Sequence, residues 1–310
     1  MPLLTYQNFP SDREAGPGGA VREQLLDFIS NLSPTDTPLF NELGSVRVNS
    51  GYIEHLEDEL TAATTNAWTE GAAATDPALT VPTRVASIVQ AFQKHYHVSG
   101  RSQAVEHAGM STPLAYQETK AMKEFKRDIE LALHRGSAVT GATDAAPQFA
   151  GLLNRISTYA TSSSGTTLTE SVFNDLLTLT FATPSNLRSV YANMFVKRTI
   201  NGYTTNVQRT MDARAFRQAD LVNIYESEMG VLAIHKSRDQ LQSADKTTSG
   251  NSFVAIDPSF FQVGWLRTPS THELGKDGDR IRKFMVGECT LLAKNQRAGV
   301  AATQLVAYLP

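Results

Sequence analysis

The chain of 310 residues is 41% hydrophobic and 19% charged, with a formal net charge of −3 at pH 7. These values predict an ordered chain with a large core, and they exclude a nucleic-acid binder that depends on bulk positive charge. The single cysteine, Cys289, excludes an internal disulfide and a cysteine-built zinc site, and the sequence predicts neither a secretory signal nor a membrane span.

The N-terminal part of the chain predicts an extended arm followed by a short helix. Residues 1–20 are rich in Pro and Gly and show no period, which is typical of a segment that is ordered only on another surface. Residues 21–32 place apolar side chains at helical spacing, Pro34 is expected to end that helix, and Pro38 to continue the bend. The apolar positions are Val21, Leu25, Phe28, Ile29 and Leu32.

The following segment predicts two strands joined by a long insertion. Residues 45–56 alternate as a strand or hairpin, and residues 85–97 alternate as one long strand with His95 and His97 on the same face. Between them, residues 57–84 are small, polar and acidic, and an irregular segment of this length is uncommon inside a compact domain. The pattern predicts a projecting two-stranded arm that lies on another surface, because such an arm is only marginally stable alone.

The strongest helical pattern covers residues 113–135, with Thr112 as the N-cap, Pro113 at the first helical position and Gly136 at the end. Its apolar arc comprises Ala121, Met122, Phe125, Ile129, Ala132 and Leu133. Its opposite arc carries Lys120, Lys123, Arg127 and His134. Two interpretations of this basic arc stay open: a solvated face balanced by neighbouring carboxylates, or a positive face toward an acidic partner. The carboxylates are Glu118, Glu124, Asp128 and Glu130.

The rest of the chain predicts short helices and many strands separated by long loops. Residues 136–168 lack a period, while helices are expected at 171–181 and 196–201. Strands alternate beyond these helices, with turns at 228–230 and 277–278. Because strands and helices do not alternate regularly, the predicted class is α+β rather than a doubly wound sheet.

No enzyme signature is present in the sequence. The stretch that starts at His272 begins like a zinc-protease helix but lacks the second histidine, and neither a phosphate-binding loop nor a nucleophile elbow occurs. His95 and His97 share a strand face and, with a carboxylate such as Glu54, leave a metal-dependent enzyme as an alternative. The scattered positions of the other histidines favour a packed or interface strand. We therefore predict no catalytic residue, no metal and no cofactor.

The predicted elements follow one another as an arm, a strand-insertion-strand extension, a long helix, a mixed domain and returning strands. Four local stretches accompany this order: TPLFNELG (37–44), HVSGRSQAVEHAG (97–109), FAGLL (149–153) and KFMVGECTLLAKNQRAGVAATQL (283–305). Together they resemble the major capsid proteins of tailed bacteriophages with the Hong Kong 97-type fold. The resemblance implies a structural protein that self-assembles into pentamers and hexamers of an icosahedral shell around double-stranded DNA.

The same resemblance divides the chain into five parts. They are an N-terminal arm and short helix (1–40), strands with an extended loop (41–100, tip 57–84), a spine helix in the peripheral domain (101–148), an axial domain (149–262) and return strands of the peripheral domain (263–310). The tip contains no lysine, so the covalent crosslink of the family's namesake is not expected. The implied location is the virion, after assembly in the host cytoplasm.

The resemblance also implies partners. We expect other copies of the chain, separate cement or decoration, scaffolding and portal proteins, and packaged DNA in weak contact, with no membrane. The candidate contact residues between copies are Glu57, Asp58, Glu59, Trp68, Glu70, Asp76, Lys120, Lys123, Arg127, His95 and His97. The acidic insertion of one copy is expected to complement the basic arc of the next, and the histidine pair to make a contact sensitive to pH near about 6.5. A nanocompartment shell of the encapsulin type, which packages enzymes, is the alternative within this fold; there the helix at 21–32 would bind a cargo peptide.

Overall fold

The structure, a computed structural model, describes residues 29, 31–73, 81–107, 109–110, 112–141, 145–162, 165–203, 224–244, 248–276 and 278–307. The helices are α1 (Pro38–Glu42), α2 (Gly100–Ala104), α3 (Pro113–Arg135), α4 (Leu152–Arg155), α5 (Glu170–Thr178) and α6 (Met194–Asn201). The strands are β1 (Gly44–Arg47), β2 (Tyr52–Glu57), β3 (Thr83–Ile88), β4 (Gln90–Ser99), β5 (Ala160–Ser162), β6 (Ser189–Ala192), β7 (Ile224–Ser227), β8 (Gly230–Lys236), β9 (Asn251–Ile256), β10 (Phe261–Glu273), β11 (Arg280–Ala293) and β12 (Gly299–Leu305). The predicted α+β class is confirmed.

The strands of the described residues form three sheets. A four-stranded sheet has the order β1-β10-β11-β4, a six-stranded sheet has the order β5-β12-β9-β6-β8-β7, and β2 pairs only with β3. Strand β12, which the sequence analysis groups with the return strands at 263–310, pairs antiparallel with β9 and parallel with β5 in the six-stranded sheet. The small apolar side chains of β12 point alternately to the two apolar clusters on either side of this sheet. The sequence pattern alone does not say which sheet the strand joins.

The six-stranded sheet is buried on both faces at its centre. Alternate residues of β6 and β9 belong to two separate apolar clusters: Tyr191 and Val254 face the cluster that includes α3, whereas Val190 and Phe253 face the cluster that includes α5 and α6. This period of two is what a strand imposes on its side chains. No helix in the described ranges is both long and apolar enough to cross a membrane.

Helix α3 covers the inner face of the four-stranded sheet, and most of its predicted apolar arc is buried. Ala121, Phe125, Ile129 and Leu133 are all at most 5% exposed. Two assignments were wrong. Met122, placed on the apolar arc, is half exposed, whereas His134, placed on the basic arc, is completely buried along with Glu130. The loop at 237–240 and helix α1 pack over that side of the helix and supply polar partners there.

Helix α3 ends at Gly136, as the sequence predicts, but for a different reason. Gly136 has φ −48° and ψ 136°, so it is not a left-handed cap. A Cβ atom on Gly136 would lie 2.5 Å from the Phe149 carbonyl oxygen, and one on Gly151 would lie 2.5 Å from the Ala132 carbonyl oxygen. The two glycines therefore allow the end of α3 and the start of α4 to approach closely.

The predicted long strand at residues 85–97 is interrupted at Val89. Strand β3 belongs to the two-stranded extension, and β4 belongs to the four-stranded sheet, where it pairs antiparallel with β11. The side chain of Val89 is buried at this junction. The prediction that His95 and His97 share a face is confirmed, but the face ends at the break because the two strands lie in different sheets.

The N-terminal prediction is tested only at its end. Residues 21–28 and 30 of the predicted helix lie outside the described residues, and Ile29, Asn31 and Leu32 are not helical. Leu32, placed on the apolar arc, is 94% exposed. Pro38, interpreted as continuing a bend, instead begins α1, because proline lacks the N–H that the first helical turn leaves unpaired.

A buried carboxylate joins α1 to α3. Glu130 is fully buried, and its two carboxylate oxygens accept hydrogen bonds from the backbone N–H groups of Leu39 (2.9 Å) and Phe40 (2.7 Å). These N–H groups belong to the first turn of α1, which has no hydrogen bond from an N-cap side chain. Glu130 thus supplies from another helix the acceptor that the first turn of α1 needs.

His134 extends this buried network to the loop before β9. The Gln240 side-chain amide N–H donates to Nδ1 of His134 at 2.9 Å, and its Oε1 accepts from Ser252 at 2.8 Å. Nε2 of His134 then carries the proton and lies 3.3 Å from a Glu130 oxygen and 2.9 Å from Oγ of Ser237. Both ring nitrogens of His134 therefore have polar partners, which explains why a histidine occupies a fully buried helical position.

Replacement of Glu130 by glutamine is expected to destabilise the fold. One acceptor oxygen becomes an N–H₂ group that faces a backbone donor, and a buried donor without a partner costs about 1–3 kcal/mol. Chemical unfolding of the unassembled chain measures this free energy. The matched control, Glu124→Gln on the same helix, should change it by less than about 0.5 kcal/mol. Equal effects of the two substitutions would disprove the role given to Glu130.

Candidate assembly surfaces

The two-stranded extension carries large apolar side chains that the chain itself does not cover. Strands β2 and β3 pair antiparallel from Tyr52 opposite Ile88 to Glu57 opposite Thr83, and the long insertion follows. Leu60 and Val81 are 94% and 84% exposed. The large apolar side chains among the described residues of this segment that are more than half exposed are Tyr52, Leu56, Leu60, Trp68 and Val81. We call them the extension patch; apolar side chains concentrated in this way mark an interaction surface.

Polar contacts hold the base of the extension in place. Arg297, which precedes β12, donates from Nη1 to Oε1 of Glu59 at 2.7 Å. This hydrogen bond and the guanidinium charge lower the pKa of the Glu59 carboxyl below its usual value. Arg155 donates from Nη1 to the Ala86 carbonyl oxygen at 2.8 Å, while burial lowers the pKa of its guanidinium. The insertion therefore leaves the body of the protein from a defined position.

Within the acidic insertion, the candidate contact residues divide into two groups. Glu57 and Glu59 are engaged inside the chain, by His55 at 3.2 Å and by Arg297. Asp58, Trp68 and Glu70 are exposed to solvent and keep their predicted role as contacts between copies. Asp76 lies outside the described residues.

The predicted basic arc of α3 is exposed. Lys120, Lys123 and Arg127 all face solvent. Their acidic neighbours are partly used elsewhere, since Asp128 pairs with Lys94 at 2.7 Å and Glu118 lies 3.9 Å from Lys283. In the described part of the chain, no ion pair joins this arc to the acidic insertion. Any contact between the two surfaces would therefore be made between copies.

His95 and His97 lie on the outer face of the four-stranded sheet, where they are exposed. The His95 ring stacks on Phe284 of the adjacent strand with centroids 5.9 Å apart, and His272 approaches the other side of Phe284 at 5.4 Å. Register pairs His97 with Arg282. Among the described residues no group of three or more His, Cys, Asp or Glu side chains is arranged to hold a metal ion. The histidine pair is thus part of an aromatic and basic surface.

Cys289 is a core residue. Its side chain is completely buried, and burial raises the pKa of the thiol to about 12. The thiolate is the nucleophilic form, so this cysteine is unreactive in the folded chain. Its role is that of a small buried hydrophobe in an apolar strand.

Sequence reasoning missed most of the extension patch. Trp68 was identified, but Tyr52, Leu56, Leu60 and Val81 were not. The sequence does contain a signal for Tyr52 and Leu56, because they share one strand face with the charged residue Glu54. The strand pairs with a single neighbour, so this face is only thinly covered. The exposure of Leu60 and Val81 followed no local pattern.

Comparisons with known proteins agree with this architecture. A family model described as SU10 major capsid protein matches residues 4–306. The major capsid protein of Escherichia phage Phieco32 is 32% identical over 117 residues, a match that covers 37% of this chain and 33% of that relative. The matched region thus spans about a third of the curated relative's length.

Solved structures share the fold at low sequence identity. The capsid of an empty GTA particle has a TM-score of 0.65 at 13% identity, with 96% of this chain and 99% of that chain covered. The structure titled Mycobacterium phage Ogopogo has a TM-score of 0.62 at 14% identity (91% and 96% covered), and the SrpI encapsulin of Synechococcus elongatus has 0.58 at 10% (94% of each). This likeness confirms the Hong Kong 97-type fold.

Arg297→Ala is expected to loosen the base of the extension. Loss of the Glu59 partner should speed thermolysin cleavage near Leu60 by about two- to fivefold, since exposed ion pairs contribute little. Because the folded pKa of Glu59 is lowered, the pair acts above that pKa and is lost as the pH falls through it. Digestion time courses followed by mass spectrometry measure the rate.

The control for this experiment is Lys294→Ala, which removes an exposed cation from the same region. It should leave the cleavage rate unchanged. If both variants are cleaved at the wild-type rate, the Glu59–Arg297 pair does not anchor the extension.

Proposed function

We propose that copies of this chain, which belongs to the SU10 major capsid protein family, form the pentamers and hexamers of an icosahedral phage shell around double-stranded DNA. The family is one of structural capsid proteins and is not a class of enzymes, so the place of the chain is the capsid of a virion. We further propose that it has no catalytic activity and that the shell is assembled in the host cytoplasm.

The extension patch is the observation that carries this proposal. Tyr52 and Leu56 lie on β2, which pairs only with β3 among the described strands, and the other three side chains lie in the insertion between these strands. Burial of one large apolar side chain contributes about 1.5–3 kcal/mol, so several on one projection favour association strongly. A neighbouring copy that covers the patch would supply the partner that an isolated two-stranded ribbon needs.

Complementary charge favours one orientation of the contact between adjacent copies. Asp58 and Glu70 are the described carboxylates of the insertion without an ion pair, and Lys120, Lys123 and Arg127 form an exposed basic arc on α3. We propose that these surfaces meet between adjacent copies. Such pairing contributes more to register and specificity than to affinity.

The division into domains is proposed with one correction. The four-stranded sheet and α3 correspond to the peripheral domain, the six-stranded sheet to the axial domain, and β12 moves from the first to the second. Scaffolding, portal and cement proteins are proposed partners, and DNA is proposed to make weak contact, because the net charge of −3 provides no general attraction.

Electron microscopy tests the assembly directly. The full chain, expressed and purified, is expected to appear in negative stain as closed particles or as hexameric and pentameric rings. The extension patch is covered in such assemblies, so they should dominate at high protein concentration. A compact monomer that persists at the highest soluble concentration would contradict the shell role.

Deletion of residues 60–82 is expected to separate folding from assembly. It joins Glu59 to Thr83, which leaves a short hairpin connection between the paired residues Glu57 and Thr83. The subunit should stay folded by circular dichroism and sediment as a small species. The control Val105→Ser, which removes an exposed apolar side chain elsewhere, should assemble normally. Normal particles from the deleted chain would contradict the role of the extension.

A further inference from the structure

A cleft of about 680 Å³ lies between α1, α6 and β8. One side is the chain that enters α1, at Asp36 and Pro38, and the opposite side is α6, with Lys197 and Arg198. The C-terminal end of β8 closes the cleft at residues 234–236. None of the proposed contacts between copies uses these residues. Its volume falls within the range of about 300–1,000 Å³ that is typical of ligand sites.

Positive charge exceeds negative charge in this cleft. Lys197, Arg198 and Lys236 line it, and among the described residues of the lining Asp36 is the only carboxylate. Asp36 is also shared: its Oδ2 atom lies 3.9 Å from Lys236 Nζ and 3.7 Å from Nε of Arg238. Among the described residues, three lysine and arginine side chains thus line the cleft against one carboxylate, and that carboxylate also contacts Arg238, so this part of the cleft carries a net positive charge.

Lys197 is held in the wall of the cleft. Only 7% of the residue is exposed, and its ammonium group donates to the Ile234 carbonyl oxygen at 3.0 Å. Burial, and then the nearby charge of Lys236, lower the pKa of this ammonium group. The second cause indicates that the two cations repel each other across the cleft, which an anion between them would relieve.

We propose that this cleft is a binding site for a phosphate-bearing anion. Arg198 presents a planar fork of N–H donors that fits two phosphate oxygens, while Lys197 and Lys236 act as point charges on either side. The apolar contribution of Pro38, Met194 and Ile234 limits competition from water. A free polyphosphate compound and the DNA backbone both present this chemistry. The site does not depend on the proposed shell role, because all its residues belong to one chain.

A ligand in this cleft would connect three elements of the fold, namely α1, α6 and β8. His235, in the lining, places Nε2 at 3.4 Å from Oε2 of Glu42 in α1, and the Asp36 contacts reach Lys236 and Arg238. An anion bound here would neutralise the cations between α6 and β8 and tie both to the segment that enters α1. Binding is therefore expected to raise the thermal stability of the chain.

Calorimetric titration of the full chain with sodium tripolyphosphate tests the site. Measurements are made in phosphate-free buffer against sodium chloride of equal ionic strength. Saturable binding is expected, together with a rise in melting temperature. The variants Arg198→Ala and Lys236→Ala should each weaken binding by about tenfold, because a charge-assisted hydrogen bond to the ligand is lost. Both side chains are largely exposed, so folding should be preserved.

The matched control is the double variant Arg101→Ala, Lys276→Ala, which removes two exposed cations that do not line the cleft. It should bind tripolyphosphate like the wild type. Absence of saturable binding at equal ionic strength, or equal loss in the control, would overturn the proposal. A short DNA duplex that competes with tripolyphosphate identifies the DNA backbone as the source of the phosphate. Tripolyphosphate binding without such competition identifies a free phosphate compound, and both results support the site.

Discussion

The buried carboxylate of Glu130 is the interaction on which the arrangement of the fold depends. Three elements meet there: the first turn of α1 through two backbone N–H groups, α3 through Glu130 itself, and the loop before β9 through His134. An ion of this kind is costly to bury, so it persists only when every oxygen has a partner. Because the partners come from distant parts of the sequence, the network sets the position of the N-terminal segment relative to both sheets.

The same segment leads to the surfaces that one chain leaves incomplete. Beyond α1 the chain forms β1 in the four-stranded sheet and then the extension, whose apolar patch no part of the described chain covers. A body with a thin, apolar and acidic projection is suited to association with copies of itself, since one projection and one receiving surface per copy generate a ring where the rotation between copies closes. The capsid-protein family and this geometry therefore both indicate association of identical copies.

Local patterns predicted the elements whose causes are local. The helix at 113–135 follows from its apolar period and Pro113, and the hairpin of β7 and β8 follows from alternation around Gly230. Errors arose where a distant segment supplies a partner. His134 and Glu130 have the composition of a solvated helix face and are buried because α1 and the loop at 237–240 bring hydrogen-bond partners. Among the candidate contacts, exposure of Trp68, Lys120 and His95 agreed with the sequence, whereas Glu59 proved to be paired.

Five features could be predicted from the amino-acid sequence alone: the α+β class, the order of the elements, the long helix, the acidic insertion without lysine and the lack of an enzyme signature. These follow from period, composition and spacing, which depend on near neighbours. The packing of distant segments divides the strand at 85–97 between two sheets, places β12 in the second sheet, and brings Lys236 and Arg238 to Asp36. Those features depend on which distant segments share a surface, and burial and charge are set there by packing rather than by local pattern.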